Sequence, residues 1–328
     1  MTALPPTGVV RANRPHHAAT GPVTPGRIAL FALMTTIWGS SFFFTALALE
    51  VFTPIQIVFV RTLMATILLA GVVAVIRPRW PRTRALWAHF VLLGLMSIAL
   101  PYTMLTWAQV WVDSSTAIVL SSTTPIFVFL IATFGLRTEA FGLGRLVAVC
   151  VAFGGVVLLT TGNASGSGSL VWSLVIVATS VNYAAANVYT KRFVSSVHPL
   201  LTAFLQLGFG MLWLLPVLIL TGDWRLPTQV GLIPLLAILE LGILGTACGY
   251  VLFFYFIGTW GSTTTSLNTY LQPLVGIALG VAVLGERPSW QAWLGIGVVV
   301  LGVALFGLSS LRRSAAAAVS ESASPPSG

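Results

Sequence analysis

The chain is a succession of apolar runs separated by short breaks, and the runs have the length, roughly twenty residues, that an α-helix needs to cross a bilayer. Inside hydrocarbon every backbone N–H and C=O must be satisfied within the protein, which leaves helices or closed barrels. Uninterrupted apolarity, rather than strict alternation, selects helices. On that ruler ten spans are expected, at 28–49, 54–76, 86–109, 115–135, 142–161, 170–191, 199–220, 232–257, 264–284 and 291–310. Hydrophobic residues make up 57% of the chain and charged ones 7%, against about 25% charged in soluble domains, so no separate water-soluble domain remains.

The net charge of +9 would suit a nucleic-acid binder, but its placement argues otherwise. Arg11, Arg14, Arg27, Arg77, Arg79, Arg82, Arg84, Arg137, Arg145, Lys191, Arg192, Arg312 and Arg313 all fall on one side of the expected topology, and only Arg225 and Arg287 on the other. Basic loops stay cytoplasmic, so both termini are expected inside and no nucleic-acid partner is expected. Residues 1–26 and 311–328 read as disordered cytoplasmic tails. The first apolar run is too long for a leader and leads into further spans, so cleavage is not expected. Cys150 and Cys248 lie inside apolar runs and read as buried thiols acting as small apolar residues.

An offset of 148 residues brings LGLMSIALPY (93–102) onto LGILGTACGY (241–250) and also matches Ser114 to Ser262, Pro125 to Pro273 and Gly154 to Gly302. A slightly different offset places Pro54 on Pro199, Trp38 on Tyr183 and Arg61 on Gln206. Five spans are repeated, and an odd number means that the copies cross the membrane in opposite senses. Inverted repeats are a construction of secondary transporters, whose substrate sites lie near the midplane between the halves.

The chain resembles an EamA-type member of the drug/metabolite transporter superfamily. The likeness rests on IWGSSF (37–42), FVRTLMA (59–65), SSTTPIFVFLIA (121–132), LGTACGYVLFFY (244–255), LQPLVGIALGVAVLGERPSW (271–290) and the glycine-spaced last span. It implies an all-α membrane protein of ten transmembrane helices as two inverted five-helix repeats, 27–161 and 170–310, in the inner membrane. It further implies a transporter of small organic solutes, often an exporter of amino acids or related metabolites, and leaves the substrate open. Where the second repeat has LGER (284–287), the first has LRTE (136–139), so no role passes to Glu139.

Two ionisable residues stand within spans, Arg61 and Glu240. Each costs roughly 2.5–3.5 kcal/mol on insertion scales for charged residues at a helix centre and asks for a partner or a wet cavity. Glu240 lies about eight residues, roughly 12 Å, into its span. At 100° per residue Gly242, Gly245 and Gly249 fall opposite it, on a face suited to close packing. Glu240 is the candidate proton-coupling group, with a structural hydrogen bond or contact with a substrate cation as the other roles. Arg61, at similar depth, is a helix lock or an anion contact, and pairs with Glu240 if their helices face each other.

Trp38, Tyr102, Asn182, Tyr183, Asn187, Tyr250, Asn268 and Gln272 are the substrate-binding candidates, since amides hydrogen-bond polar groups and aromatic walls hold apolar or cationic ones. Each could equally join helices. Six tryptophans near span ends, among them Trp80, Trp87 and Trp111, are interfacial anchors. Gly154, Gly155, Gly295 and Gly302 read as close-packing surfaces, within one chain or across a homodimer, so monomer and homodimer both stay open.

An enzyme is not expected: no span holds an Asp, His89 and His198 have no motif-spaced metal partner, and GNASGSGS (162–169) reads as a flexible loop. Neither a metal nor a cofactor is expected. A passive channel lacks its charge ring or carbonyl filter, and no phosphate-cradling glycine loop points to ATP. The function expected is secondary active transport by alternating access, with energy from a gradient, protons first, and with a small-molecule substrate and the lipid bilayer as partners.

Overall fold

The computed structural model describes residues 24–135, 142–162, 167–224, 227–253, 255–256, 259 and 268–322. Its α-helices are α1 (Pro25–Leu49), α2 (Pro54–Ile76), α3 (Arg84–Leu93), α4 (Leu100–Ala108), α5 (Ser114–Ser121), α6 (Thr124–Leu130), α7 (Leu143–Gly162), α8 (Ser167–Phe193), α9 (Pro199–Leu220), α10 (Leu232–Leu239), α11 (Asn268–Ala282) and α12 (Trp290–Ser322). Segments π1 (Gly94–Ala99), π2 (Ile131–Gly135) and π3 (Glu240–Cys248) are wound wider, with i→i+5 bonds.

Six described helices are long and apolar enough to cross a membrane: Pro25–Leu49, Pro54–Ile76, Arg84–Ala108, Leu170–Thr190, Pro199–Leu220 and Leu232–Phe253. Shorter apolar helices at Ser114–Val128, Leu146–Gly155, Leu271–Ala282 and Trp293–Phe306 stand where the other spans are expected. Local chemistry fixes the starts. Thr53 Oγ1 accepts the Gln56 amide at 3.4 Å while Gln56 Oε1 accepts the Thr53 amide at 3.0 Å, a reciprocal capping box. Pro54 and Pro199, matched in the repeat, both open their helices, where a missing N–H costs nothing.

Two boundaries depart from expectation. α12 runs on to Ser322, through residues expected to be a tail, because the run Ala315 to Ala318 is made of the strongest helix former. The break expected at 162–169 contracts, since α7 reaches Gly162 and α8 starts at Ser167. The first tail through residue 23 and the LRTE run at 136–139 lie outside the described residues. Cys150 is exposed rather than buried, and Cys248 is half-buried.

π1 and π3 sit inside otherwise continuous apolar helices at repeat-equivalent positions. Pro101 follows π1; it lacks the amide that an α-helix would bond to Ser97, and a widened turn accommodates it. In π3 Thr246 Oγ1 donates to Leu241 O at 2.7 Å, five residues back. The neighbours of these segments also correspond. A Cβ on Gly94 would stand 2.6 Å from that of Phe209, and one on Gly242 would stand 3.0 Å from that of Met64. Gly94 maps onto Gly242 at the 148 offset, and Met64 onto Phe209 at the offset that joins Pro54 to Pro199.

α7 and α12 pack backbone to backbone within the chain. A Cβ on Gly155 would lie 2.5 Å from Val299 N, and one on Gly302 2.5 Å from Ala152 N, whereas Gly154 has open space beside it. Ala65, Leu69, Ile98, Ala203, Leu207 and Ala247 form a fully or nearly buried cluster from α2, π1, α9 and π3, and Tyr102 and Tyr250 pack against it. That cluster is the floor on which the polar site stands.

Candidate functional site

Arg61 of α2 is 8% exposed. Its Nε and Nη2 both donate to Thr246 Oγ1, at 3.2 and 3.1 Å, and the Thr246 hydroxyl donates onward to Leu241 O, which leaves its lone pairs for the guanidinium. The Arg61 Cζ lies 4.5 Å from the centroid of the Tyr102 ring, a cation–π contact strengthened by desolvation. Thr246 therefore holds Arg61 from one side and Tyr102 from the other.

The aromatic wall continues from Tyr102. It shares a side-chain hydrogen bond with Tyr250, and its ring centroid lies 6.4 Å from that of Tyr183. Trp38 of α1 meets Tyr250 edge to face at 6.3 Å and Phe253 at 5.3 Å. Its indole Nε1 donates to Gly245 O at 3.0 Å. The approach depends on Gly249, since a Cβ there would collide with Trp38 Nε1.

Glu240 opens π3. Its Oε2 is buried and makes no hydrogen bond among the described residues, while its carboxylate feels the positive charge of Arg61. The two helices face each other, as pairing required, but the bonds of Arg61 go to Thr246. The expectation that Gly245 stands opposite Glu240 is corrected: in the wider winding the fifth residue comes round on the same side, and a Cβ on Gly245 would lie 3.6 Å from Glu240 Oε2 and 3.1 Å from Ser41 Oγ. Gly242 and Gly249 do pack closely, against Met64 and Trp38.

The structure thus brings Trp38, Arg61, Tyr102, Tyr183, Tyr250 and Glu240 into one polar and aromatic cluster. The other candidates stand apart from these contacts. Asn182 Nδ2 donates to Met96 O at 2.9 Å and so satisfies a carbonyl of π1, as Trp38 does in π3. Asn187 is exposed. Asn268 is 1% exposed, with neither its Nδ2 nor its Oδ1 bonded among the described residues. Gln272 presents its backbone carbonyl to Gly39. Thr246 and Phe253 escaped the sequence reading; the only signal for Thr246 was its place as the one aliphatic hydroxyl in the glycine-spaced run LGTACGY. His89 bonds Tyr189 at 2.6 Å, and no group of metal-ligating side chains occurs among the described residues.

A family model described as the EamA-like transporter family matches residues 26–161 and again 170–308. The chain belongs to the EamA-like transporter family. It is 29% identical, over 85% of its length and 90% of the relative's, to an uncharacterized inner membrane transporter, YedA, of Escherichia coli (strain K12). It is 26% identical, over 84% of its length and 95% of the relative's, to an uncharacterized transporter of Archaeoglobus fulgidus. A solved crystal structure shares the fold at a TM-score of 0.59 with 18% identity, covering 88% of this chain and 99% of the other. In this EamA-like transporter the cluster draws on both matched segments: Trp38, Arg61 and Tyr102 come from the first, and Tyr183, Glu240, Thr246 and Tyr250 from the second.

Proposed function

We propose that the protein is a secondary active exporter of small organic metabolites such as amino acids, working by alternating access between two inverted five-helix halves of a ten-span bundle, with Glu240 carrying the coupled proton. The observation that carries this reading is the pair of opposite charges, Arg61 and Glu240, set on facing helices of the two halves within an aromatic chamber, with no hydrogen bond between them. A buried guanidinium has five N–H donors, and Thr246 takes only two of the bonds, which suits it to a carboxylate or other anionic group on the solute. A buried carboxylate oxygen without a bonding partner suits a proton or a solute ammonium. The repeat-equivalent π segments supply the places for bending, since such windings recur at functional sites.

The basic residues Arg27, Arg77, Arg79, Arg82, Arg84 and Arg192 gather at the end where α1 begins, which supports a cytoplasmic orientation for that end. Efflux of labelled amino acids and small metabolites from proteoliposomes, with and without a pH gradient, tests the proposal. Wild type is expected to show saturable flux and counterflow that respond to the gradient, and Glu240→Gln to retain counterflow but lose that response. A variant that keeps the response removes Glu240 from coupling, and flux that neither saturates nor shows counterflow makes the protein a passive facilitator.

A further inference from the structure

Away from the chamber a further polar contact joins the two halves. Glu286, between α11 and α12, accepts Ser114 N at 2.8 Å and Ser114 Oγ at 2.7 Å with its Oε1, and Ser115 N at 3.1 Å with its Oε2. These two amides open α5, whose first N–H groups have no partner within the helix. The local N-cap position belongs to Asp113, an eminently suitable capping residue, yet the Asp113 side chain makes no capping bond. A carboxylate 172 residues away in sequence has taken its place.

The LGER run has a physical reason for each of its middle residues. Gly285 adopts a left-handed conformation (φ +68), which turns the chain at the end of α11 so that Glu286 N bonds back to Gly280 O at 3.1 Å. The Glu286 carboxylate is thereby laid against Gly280, where any Cβ would collide with Oε2. The side chain is then aimed at the start of α5 in the other half.

We propose that Glu286 and Asp113 are alternative caps for one helix start, and that their exchange is the latch of the outer gate: Glu286 holds Ser114 and Ser115 while this end is shut, and Asp113 takes the freed amides when the halves part. A charge-assisted bond to a helix N-terminus is strong enough to hold a gate. A second carboxylate already at the N-cap keeps the amides satisfied after release, so opening leaves no orphaned donors. The latch rests on the alternating-access reading given above.

The test uses full-length protein in proteoliposomes, in a Cys150→Ala/Cys248→Ala background. Ser114→Cys/Glu286→Cys is bridged by a short bifunctional thiosulfonate. Bridging is expected to cut counterflow at least tenfold, with recovery on reduction and no effect on either single-cysteine protein. Full counterflow in the bridged protein would show that this contact persists through the cycle as a fixed cap, and the latch falls. The unbridged background protein must itself show counterflow; its absence would instead overturn alternating access. Asp113→Ala leaves the Glu286 contacts in place and removes the second capping oxygen. With Ser41→Cys as the reporter in the chamber, it is expected to lower labelling from the outer side severalfold, and unchanged labelling would overturn the cap exchange.

Discussion

Arg61 places two of its guanidinium nitrogens on the single hydroxyl of Thr246, at 3.1 and 3.2 Å. The strongest base in the membrane interior is thus held by a neutral acceptor and an aromatic face. Such an arrangement keeps the cation positioned without neutralising it, as an ion pair would.

Thr246→Val keeps the shape and removes the acceptor. Leaving a buried charged donor unbonded costs about 1.5–3 kcal/mol, so a clear fall in melting temperature is expected in detergent, together with a raised KM for anionic solutes. Arg61→Lys is expected to lose transport at least tenfold, because an ammonium replaces neither the planar fork nor the stacking on Tyr102. Flux equal to wild type in Arg61→Lys would show that charge alone is required.

Gly249→Ala puts a methyl against the Trp38 indole. Overpacking of this kind costs about 1–3 kcal/mol, and the Trp38 bond to Gly245 O is expected to break with it. Tryptophan fluorescence of the folded variant should shift, and flux should fall. A normal spectrum with normal flux would mean that α1 can withdraw without consequence.

Gly302→Ala and Gly154→Ala form a matched pair at equivalent repeat positions. The first intrudes on the Ala152 backbone and the second meets open space. Thermal denaturation should show a loss in the first and, in the second, no loss, with a small gain from reduced unfolded-chain entropy.

Asp113 gives a pH dependence outside the membrane interior. Although the side chain is exposed, desolvation by its surroundings, and then the negative charge of Glu286, raise its carboxyl above the ordinary value of 3.8. A group whose folded value is raised contributes stability that is full below the unfolded value and is lost as pH rises through the folded one. Asp113→Asn is therefore expected to be the more stable protein at neutral pH, with the two melting curves converging as the pH falls toward 3.8. A gap that stays constant with pH would show that the effect is not electrostatic.

The spans were readable because bilayer thickness imposes one length on every crossing segment, and Arg61 and Glu240 stood out because charge is rare in such segments. The wider winding of π3 was not readable: i→i+4 and i→i+5 patterns differ by one residue over a short stretch, and the side of the helix that Gly245 occupies turns on that residue. The partner of Arg61 was hidden for another reason. A hydroxyl 185 residues distant carries no charge pattern that would mark it. Glu286 drew no attention of its own, since the mismatch of LGER with LRTE bears only on Glu139, although LGER carries its own turn chemistry in Gly285.

The reciprocal bonds of Trp38 to Gly245 O and of Asn182 to Met96 O also bear on how the chain is made. Each half supplies the side chain that completes the widened turn of the other, over sequence separations of 207 and 86 residues. Contacts so distant form late, after both partners have emerged from the ribosome. The first repeat must therefore wait in the bilayer with the Met96 carbonyl unclaimed until α8 arrives, and with the Trp38 indole unbonded until π3 does. Insertion can proceed helix by helix, but the cluster around Arg61 closes only near the end of synthesis, so a half-length product enters the membrane with that cluster incomplete.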